Sequence, residues 1–441
     1  MALSRRNFIL GSGGVLASLS GCRIGGADES SAARRPGALA AEQVGFPCLQ
    51  APGDTTMGVT WSVPCLSKGE VEVADNPEMR DARVFRPGGL GLAPIDDCAL
   101  SVRLTGLKPS TRYWYRTVTV PFVRYGNIHT VEYGPVVRSD VSSFMTLGEN
   151  SPSHFCMMSD THAKWDSFGL VVRKIKELSP TAVVWNGDAT NRTQDKGTAA
   201  EIFLNPPIED RDYASRIPVL FENGNHDFRG SWISRKEEVV MPRLPTERAA
   251  RHWELKWNFA VRCGEMALIG MDTGEDKPDS DPALLGLANY SPYHRMQAEW
   301  LEDQFRRPEI SRAPYKILFC HIPLWGRENR VLPRKPGRYG DWIPECYDLW
   351  APIFERNGVQ LVVAGHRHCY SFLPAFRERP WAMVVGGSPE FGLRYDWTSA
   401  RMVPAADRFP TVVEGKVIGG RLRLRVYDVS SGRMVLDQDM A

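Results

Sequence analysis

The sequence predicts an α/β domain preceded by an all-β sandwich, and a change of pattern near residue 148 carries that reading. Before it, short segments rich in Val, Thr, Tyr and Trp recur between turn signals, at 58–63, 70–73, 99–104, 113–120, 130–137 and 143–147. Such spacing suits a β-sandwich. After Gly148, apolar runs at 155–159, 182–185, 219–222, 266–271, 316–320, 360–364 and 383–385 read as strands alternating with helices. Phe168, Val171, Val172, Ile175 and Leu178 share one helical face, as do Leu301 and Phe305 after Met296. A helix from about Pro344 should stop at Asn357-Gly358. Further strands at 412–417, 421–429 and 434–437 are too few for another domain.

The chain has 441 residues, 43% hydrophobic and 24% charged, enough for more than one core. Its net charge is only +2, and cutting away residues 1–21 removes Arg5 and Arg6, so bulk charge suggests no nucleic-acid partner. No run of about 20 apolar residues exists to span a membrane. Ser4-Arg5-Arg6-Asn7-Phe8-Ile9 before a diluted apolar run resembles a twin-arginine export signal, and Leu19-Ser20-Gly21-Cys22 resembles a lipobox. These resemblances imply export by the twin-arginine route to the periplasm or cell surface, with Cys22 as the lipid-bearing residue and simple release after cleavage as the alternative. The chain then divides into a signal at 1–22, a linker at 23–44, the β-sandwich at 45–148 and the α/β domain at 149–441.

The eight cysteines after Cys22 include no CxxC pair, so zinc ribbons and thioredoxin-like chemistry are not indicated. Cys156, Cys320 and Cys369 read as buried thiols, with disulfides open among Cys48, Cys65 and Cys98. The stretch Leu104-Thr105-Gly106-Leu107-Lys108-Pro109 leading to Tyr113 resembles the turn-then-tyrosine region of fibronectin type III-like domains, including those that precede the catalytic domain in some phosphatases.

Polar motifs cluster at or just past the ends of the apolar strands: Asp160-Thr161-His162, Gly187-Asp188, Gly224-Asn225-His226-Asp227, His321, and Gly365-His366-Arg367-His368. Strand ends are where α/β folds place ligands. One histidine there is usually satisfied locally, but an ordered set of carboxylates, amide and imidazoles points to metal.

This order, DxH, GD, GNHD, H and GHxH, resembles the calcineurin-like metallophosphoesterases, a fold of two mixed sheets in a sandwich flanked by helices. The resemblance implies that Asp160, His162 and His368 bind one metal and Asn225, His321 and His366 a second, with Asp188 bridging. Two divalent or trivalent ions (Mn, Fe or Zn) would then share a hydroxide that attacks a phosphomonoester or phosphodiester. His226 resembles the family's general acid, with Asp227 holding its imidazole oriented and charged. Arg192, four positions after Asp188, stands where related protein phosphatases place a phosphate-binding arginine, although Asn191 replaces their aspartate and the following glycine is missing, so an ordinary surface arginine stays open. Trp325 and Tyr370 are candidates for the pocket wall, with core packing open to both.

Purple acid phosphatases also join a fibronectin-like domain to this fold. They place tyrosine three positions after the bridging aspartate and use no histidine in the first motif, where this chain has Asn191 and His162. The resemblance is therefore to a non-purple type. The competing reading is a surface adhesion protein that uses the β-sandwich and keeps the phosphoesterase fold as a scaffold. The segments 228–253 and 272–290, expected to set specificity, carry no readable motif, and neither substrate nor oligomeric state follows from the sequence.

Overall fold

The computed structural model describes residues 41–88, 91–126, 129–241, 255–284, 286–326, 343–396 and 401–440. The signal 1–22 with Cys22, most of the linker, and residues 242–253 of the first specificity segment lie outside them. The N-terminal part runs through β1 (Cys48–Gln50), β2 (Met57–Ser62), β3 (Ser67–Ala74), β4 (Arg83–Phe85), β5 (Ile95–Asp96), β6 (Ala99–Leu104), β7 (Arg112–Tyr125), β8 (Val131–Tyr133), β9 (Val137–Arg138) and β10 (Ser142–Met145). Then follow β11 (His154–Met158), α1 (Trp165–Leu178), β12 (Ala182–Asn186), α2 (Lys196–Leu204), β13 (Val219–Glu222), β14 (Phe259–Cys263) and β15 (Met266–Gly270). The chain continues with α3 (Tyr290–Arg306), α4 (Pro308–Ser311), β16 (Tyr315–Phe319), α5 (Pro344–Asn357), β17 (Leu361–Ala364), β18 (Ser371–Leu373) and β19 (Ala382–Val385). It closes with β20 (Leu393–Asp396), β21 (Arg401–Pro404), β22 (Thr411–Ile418), β23 (Arg421–Asp428) and β24 (Arg433–Asp439).

In the N-terminal part, β1, β2 and β6 form one layer and β10, β7, β3 and β4 another. Leu49, Val59, Trp61, Val71, Tyr115 and Phe144 fill the space between. Buried residues alternate along most of β3, as they must when one face of a strand points into a core. The Tyr113 hydroxyl accepts a hydrogen bond from Lys108 N–H at 3.0 Å, closing the turn singled out in the sequence. This layer does not end at residue 148. β1 pairs in parallel with β13 through Gln50 and Val219, and the Tyr115 hydroxyl donates to the Ser215 carbonyl at 2.8 Å. One sheet therefore runs β24-β23-β22-β11-β12-β13-β1-β2-β6.

A second sheet, β14-β15-β16-β17-β19-β18, faces it. Ile317 and Phe319 of β16 point into the core between the sheets, whereas Leu318 and Cys320 belong to the core that includes residues of α3 and α5. Burial on both faces explains why this strand reads as a continuous apolar run instead of an alternating one. The Phe155 and Phe319 rings meet across the inter-sheet space at 5.2 Å, nearly perpendicular. Removing such a ring costs about 3–5 kcal/mol, so packing fixes the sheet spacing.

The helix signals act locally. α1 buries Phe168, Val171, Val172 and Ile175 and ends at Ser179 in the left-handed region. α5 opens on Pro344, whose missing N–H costs nothing in a first turn, and stops at Gly358 with φ of 63°. β22, β23 and β24 extend the first sheet beside β11 instead of forming a separate unit. Cys48, Cys65 and Cys98 do not pair, and every described cysteine is a free thiol. Among the described residues no helix is long and apolar enough to cross a membrane. The parallel strands β11, β12 and β13 of one sheet and β15, β16 and β17 of the other bring their C-terminal ends to one place.

Candidate metal centre

Each strand that feeds this place is apolar and buried up to its end, and the chain then turns sharply. Asp160, His162, Asp188, His366 and His368 all have left-handed backbone, with φ of 53°, 47°, 49°, 70° and 51°. For non-glycine residues this costs on the order of 1–2 kcal/mol each, a strain that the rigid strands must hold. Gly187 takes a φ of +82°, and a Cβ on Gly224 would overlap Asp188 Oδ1, so both positions need glycine.

All seven expected ligand residues converge. Asp160, His162, Asp188 and His368 present one donor group and Asp188, His321 and His366 a second, with the atoms of each group within 4.8 Å of one another. Asp188 belongs to both. Asn225 Oδ1 lies 3.0 Å from His366 Nδ1 and adds an amide oxygen to the second group. Asp188 Oδ2 stands 3.5 Å from His162 Nε2 and 3.3 Å from His321 Nε2, and Asp160 Oδ1 stands 3.3 Å from His368 Nε2.

Two features test whether metal fits. His162 Nε2 and His368 Nε2 face each other at 2.9 Å, a contact that only a shared proton or cation satisfies. His321 Nε2 is fully buried without a hydrogen bond. Carboxylate, amide and imidazole together suit Mn, Fe or Zn, so the donor set fits.

The outer ring nitrogens are each fixed. His162 Nδ1 meets Asn191 Oδ1 at 3.0 Å, His321 Nδ1 donates to the Asn186 carbonyl at 2.8 Å, and His368 Nδ1 meets Glu390 Oε1 at 3.2 Å. Such partners set the tautomer that aims the other nitrogen at a metal. The electrostatics show a cluster short of positive charge. Burial opposes charge on His321, but Asp188 and Asp160 outweigh it and push the imidazole up to about 9. Burial likewise opposes charge on His368, and Asp160 with Glu390 pushes it up to about 10. Burial alone would raise the Asp188 carboxyl, yet His321, His162 and His226 hold it well below the usual carboxylate range.

His226 sits over this cluster. Its backbone N–H donates to Asp188 Oδ1 at 2.8 Å, and its ring stands edge-on to that of His162 at 4.8 Å. The expectation that Asp227 holds the His226 ring is corrected. The Asp227 carboxylate accepts from Gly224 N–H at 2.9 Å and stands 3.8 Å from Lys236 Nζ. It is used in tightening the turn that carries Asn225. The group at the imidazole is instead Arg229, whose Nη1 lies 3.0 Å from both ring nitrogens. Burial lowers the imidazole to about 4, with Asp188 opposing and Arg229 adding to the effect.

Arg192 is exposed, and its guanidinium makes no hydrogen bond among the described residues. Trp325 is buried in the core beside Tyr347 and Phe376, and the Tyr370 ring packs on Phe409. Sequence reasoning missed Glu390, the orienting role of Asn191, and the pair Arg229–Glu275. Glu390 follows β19, so the same strand-end signal could have found it; Arg229 lies just past GNHD but belongs to no motif.

Residues 153–370 match the family model for calcineurin-like phosphoesterases. The chain is 24% identical over 193 residues to purple acid phosphatase 7 of Arabidopsis thaliana, covering 43% of this chain and 52% of that protein. It is 21% identical over 306 residues to purple acid phosphatase 21 of the same plant, covering 63% and 54%. The chain thus spans about half the length of these curated relatives. Among solved structures, purple acid phosphatase PPD1 from yellow lupin (Lupinus luteus) seeds superposes with a TM-score of 0.59 at 15% identity, covering 90% of this chain and 73% of that one. A structure of PhoD gives 0.54 at 12% identity, covering 89% and 92%. These two likenesses establish the fold. Residues 153–370, which hold both donor groups, are thus the part of the chain that matches the calcineurin-like phosphoesterase family.

Proposed function

We propose that the chain is an exported, metal-dependent phosphoric ester hydrolase. The observation that carries this reading is the pair of donor groups fused at Asp188 with the His226 imidazole against His162 of the first group. Asp160, His162 and His368 would hold one cation and Asn225, His321 and His366 the other, with Asp188 common to both. Two such ions, when bound, supply Lewis acidity toward phosphate oxygens and lower the pKa of water.

The chain's own residues do the rest. Asp188 is anchored by the His226 backbone N–H, so the carboxylate and the turn that carries the imidazole keep a fixed relation. His226 donates a proton to the leaving oxygen. A phosphate bearing negative charge beside Arg229 and the ring favours the imidazolium that this step requires. The donors lie at strand ends supported by two packed cores, which gives the precision that an in-line displacement needs.

Asn191 at the place of the purple enzymes' tyrosine, bonded to His162, supports a non-purple type. The Lys108–Tyr113 turn supports likeness of 45–148 to a fibronectin type III domain. Export, with lipid at Cys22, rests on Arg5-Arg6 and the lipobox-like segment. Lysine in place of both arginines should hold the chain in the cytoplasm, which cell fractionation reads.

Enzymatic activity is tested with p-nitrophenyl phosphate and bis-p-nitrophenyl phosphate after loading Mn, Fe or Zn. Turnover of at least one is expected, and the iron form should lack a tyrosinate charge-transfer band. No turnover of any phosphate ester by a metal-replete sample would favour a scaffold.

A further inference from the structure

Arg229 is the cation built into the mouth of the centre. Its Nε and Nη2 donate to the two oxygens of Glu275 at 2.8 and 3.3 Å. Glu275 is 4% exposed, a buried carboxylate that holds the guanidinium plane in one orientation. Nη1 is 3.0 Å from each His226 nitrogen, and a neutral imidazole has one lone pair to offer. Of five guanidinium N–H groups, two therefore go to Glu275 and one to His226. Among the described residues two remain without a partner, one on each Nη, and 36% of the side chain is open to solvent.

Among the described residues, the other cations near the centre are held differently, Arg408 standing 3.8 Å from Glu390. Lys277 is committed to Asp276 and to Glu275, the latter at 3.2 Å. Arg192 is exposed with no side-chain partner among the described residues.

We propose that the free edge of Arg229 receives a terminal oxygen of the substrate phosphate and thereby selects phosphomonoesters over phosphodiesters. This deepens the phosphoesterase reading and rests on it. A monoester dianion has three terminal oxygens, so one remains for Arg229 when two face the ligand cluster. A diester has only two, and its third position carries an uncharged ester group that a guanidinium cannot recognise. A charge-assisted hydrogen bond lost from one substrate and not from the other appears as a change of selectivity.

The test compares wild type with Arg229→Met, and with Arg229→Met/Glu275→Gln, which leaves no unpaired buried carboxylate. For each metal-loaded protein, metal content, kcat/KM on an alkyl phosphate and on its methyl diester, and calorimetric affinity for inorganic phosphate are measured. Phosphate affinity should fall about 10- to 100-fold, and monoester kcat/KM should fall about 10- to 100-fold further than diester kcat/KM beyond any loss that both share through His226, with both metals retained. Equal losses on both esters, or unchanged phosphate affinity, would overturn the selectivity. If the wild type turns over neither ester, the hydrolase reading fails separately. Phosphate affinity that then still drops upholds the oxyanion contact, and affinity that does not removes it.

Discussion

The two ends of β11 place the same chemistry in opposite states. At its start, His154 meets Glu414 of β22 at 2.9 Å, and the other carboxylate oxygen accepts from the Tyr427 hydroxyl at 2.8 Å. Arg425 stands 3.4 Å from the same oxygen. That cluster is buried, complementary and complete. Past its other end, Asp160 and His162 enter a group in which two imidazole nitrogens face each other and a third is buried without a hydrogen bond. Histidine and carboxylate at a strand end therefore do not themselves mark a ligand site. Several donor atoms converging on one another from separate strand ends do, because a protein tolerates such crowding only where something else completes it.

Four substitutions sharpen this contrast. The largest effect is expected at His226, which touches the cluster without belonging to either donor group. His226→Ala should lower turnover of an alkyl ester by about 100- to 10,000-fold, the usual range for a lost general acid. A nitrophenyl ester, whose leaving group needs little protonation, should suffer less, and elemental analysis should find both metals retained. Loss of a metal, or equal slowing of both esters, would remove the proton-donor role.

A smaller effect belongs to the residues that aim the ligands. Glu390→Ala and Asn191→Ala free the outer nitrogens of His368 and His162. Metal affinity should weaken by about 10- to 100-fold in each, as for other outer partners of metal-bound histidine. Competition with a chelator measures this, and unchanged affinity would mean that the strand ends alone fix the rings.

The smallest effect on chemistry is expected at the complete end. Burial raises the Glu414 carboxyl, but His154 and Tyr427 hold it at about 2 against an ordinary 4.5. A carboxyl depressed on folding stabilises fully above its unfolded value, and the contribution disappears as pH falls from about 4.5 to about 2. Glu414→Gln should flatten the acid limb of stability in that window, measured by denaturant titration at several pH values, with metal content unchanged. A metal-binding defect would show that the two ends are not independent.

How much was legible follows the same division. The strands feeding the centre were readable because burial on both faces turns each into a short apolar run, and 219–222 coincides with β13. The ligands were readable because turns there demand particular residues next to glycine. β14 and α2 were missed. The α2 start is marked only by Asp195, whose carboxylate caps Thr198 N–H, and its apolar residues keep no clear helical stripe. The join of β1 to β13 was invisible, since a single long-range register between Gln50 and Val219 leaves no local pattern. Asp227 was misread for a related reason. Adjacency to His226 suggested contact, but in the tight turn Asn225–Phe228 the carboxylate folds back to Gly224 N–H, and the imidazole partner comes from beyond the motif.

Metal stoichiometry is the most direct test that the incomplete end of β11 is a dinuclear site. Wild-type protein, stripped and reloaded with manganese or zinc and passed through a desalting column, should retain two ions per chain by elemental analysis, and Asp188→Ala, lacking the shared carboxylate, should retain fewer along with losing activity. A wild type that retains none, or an Asp188→Ala protein that keeps both ions, would contradict it.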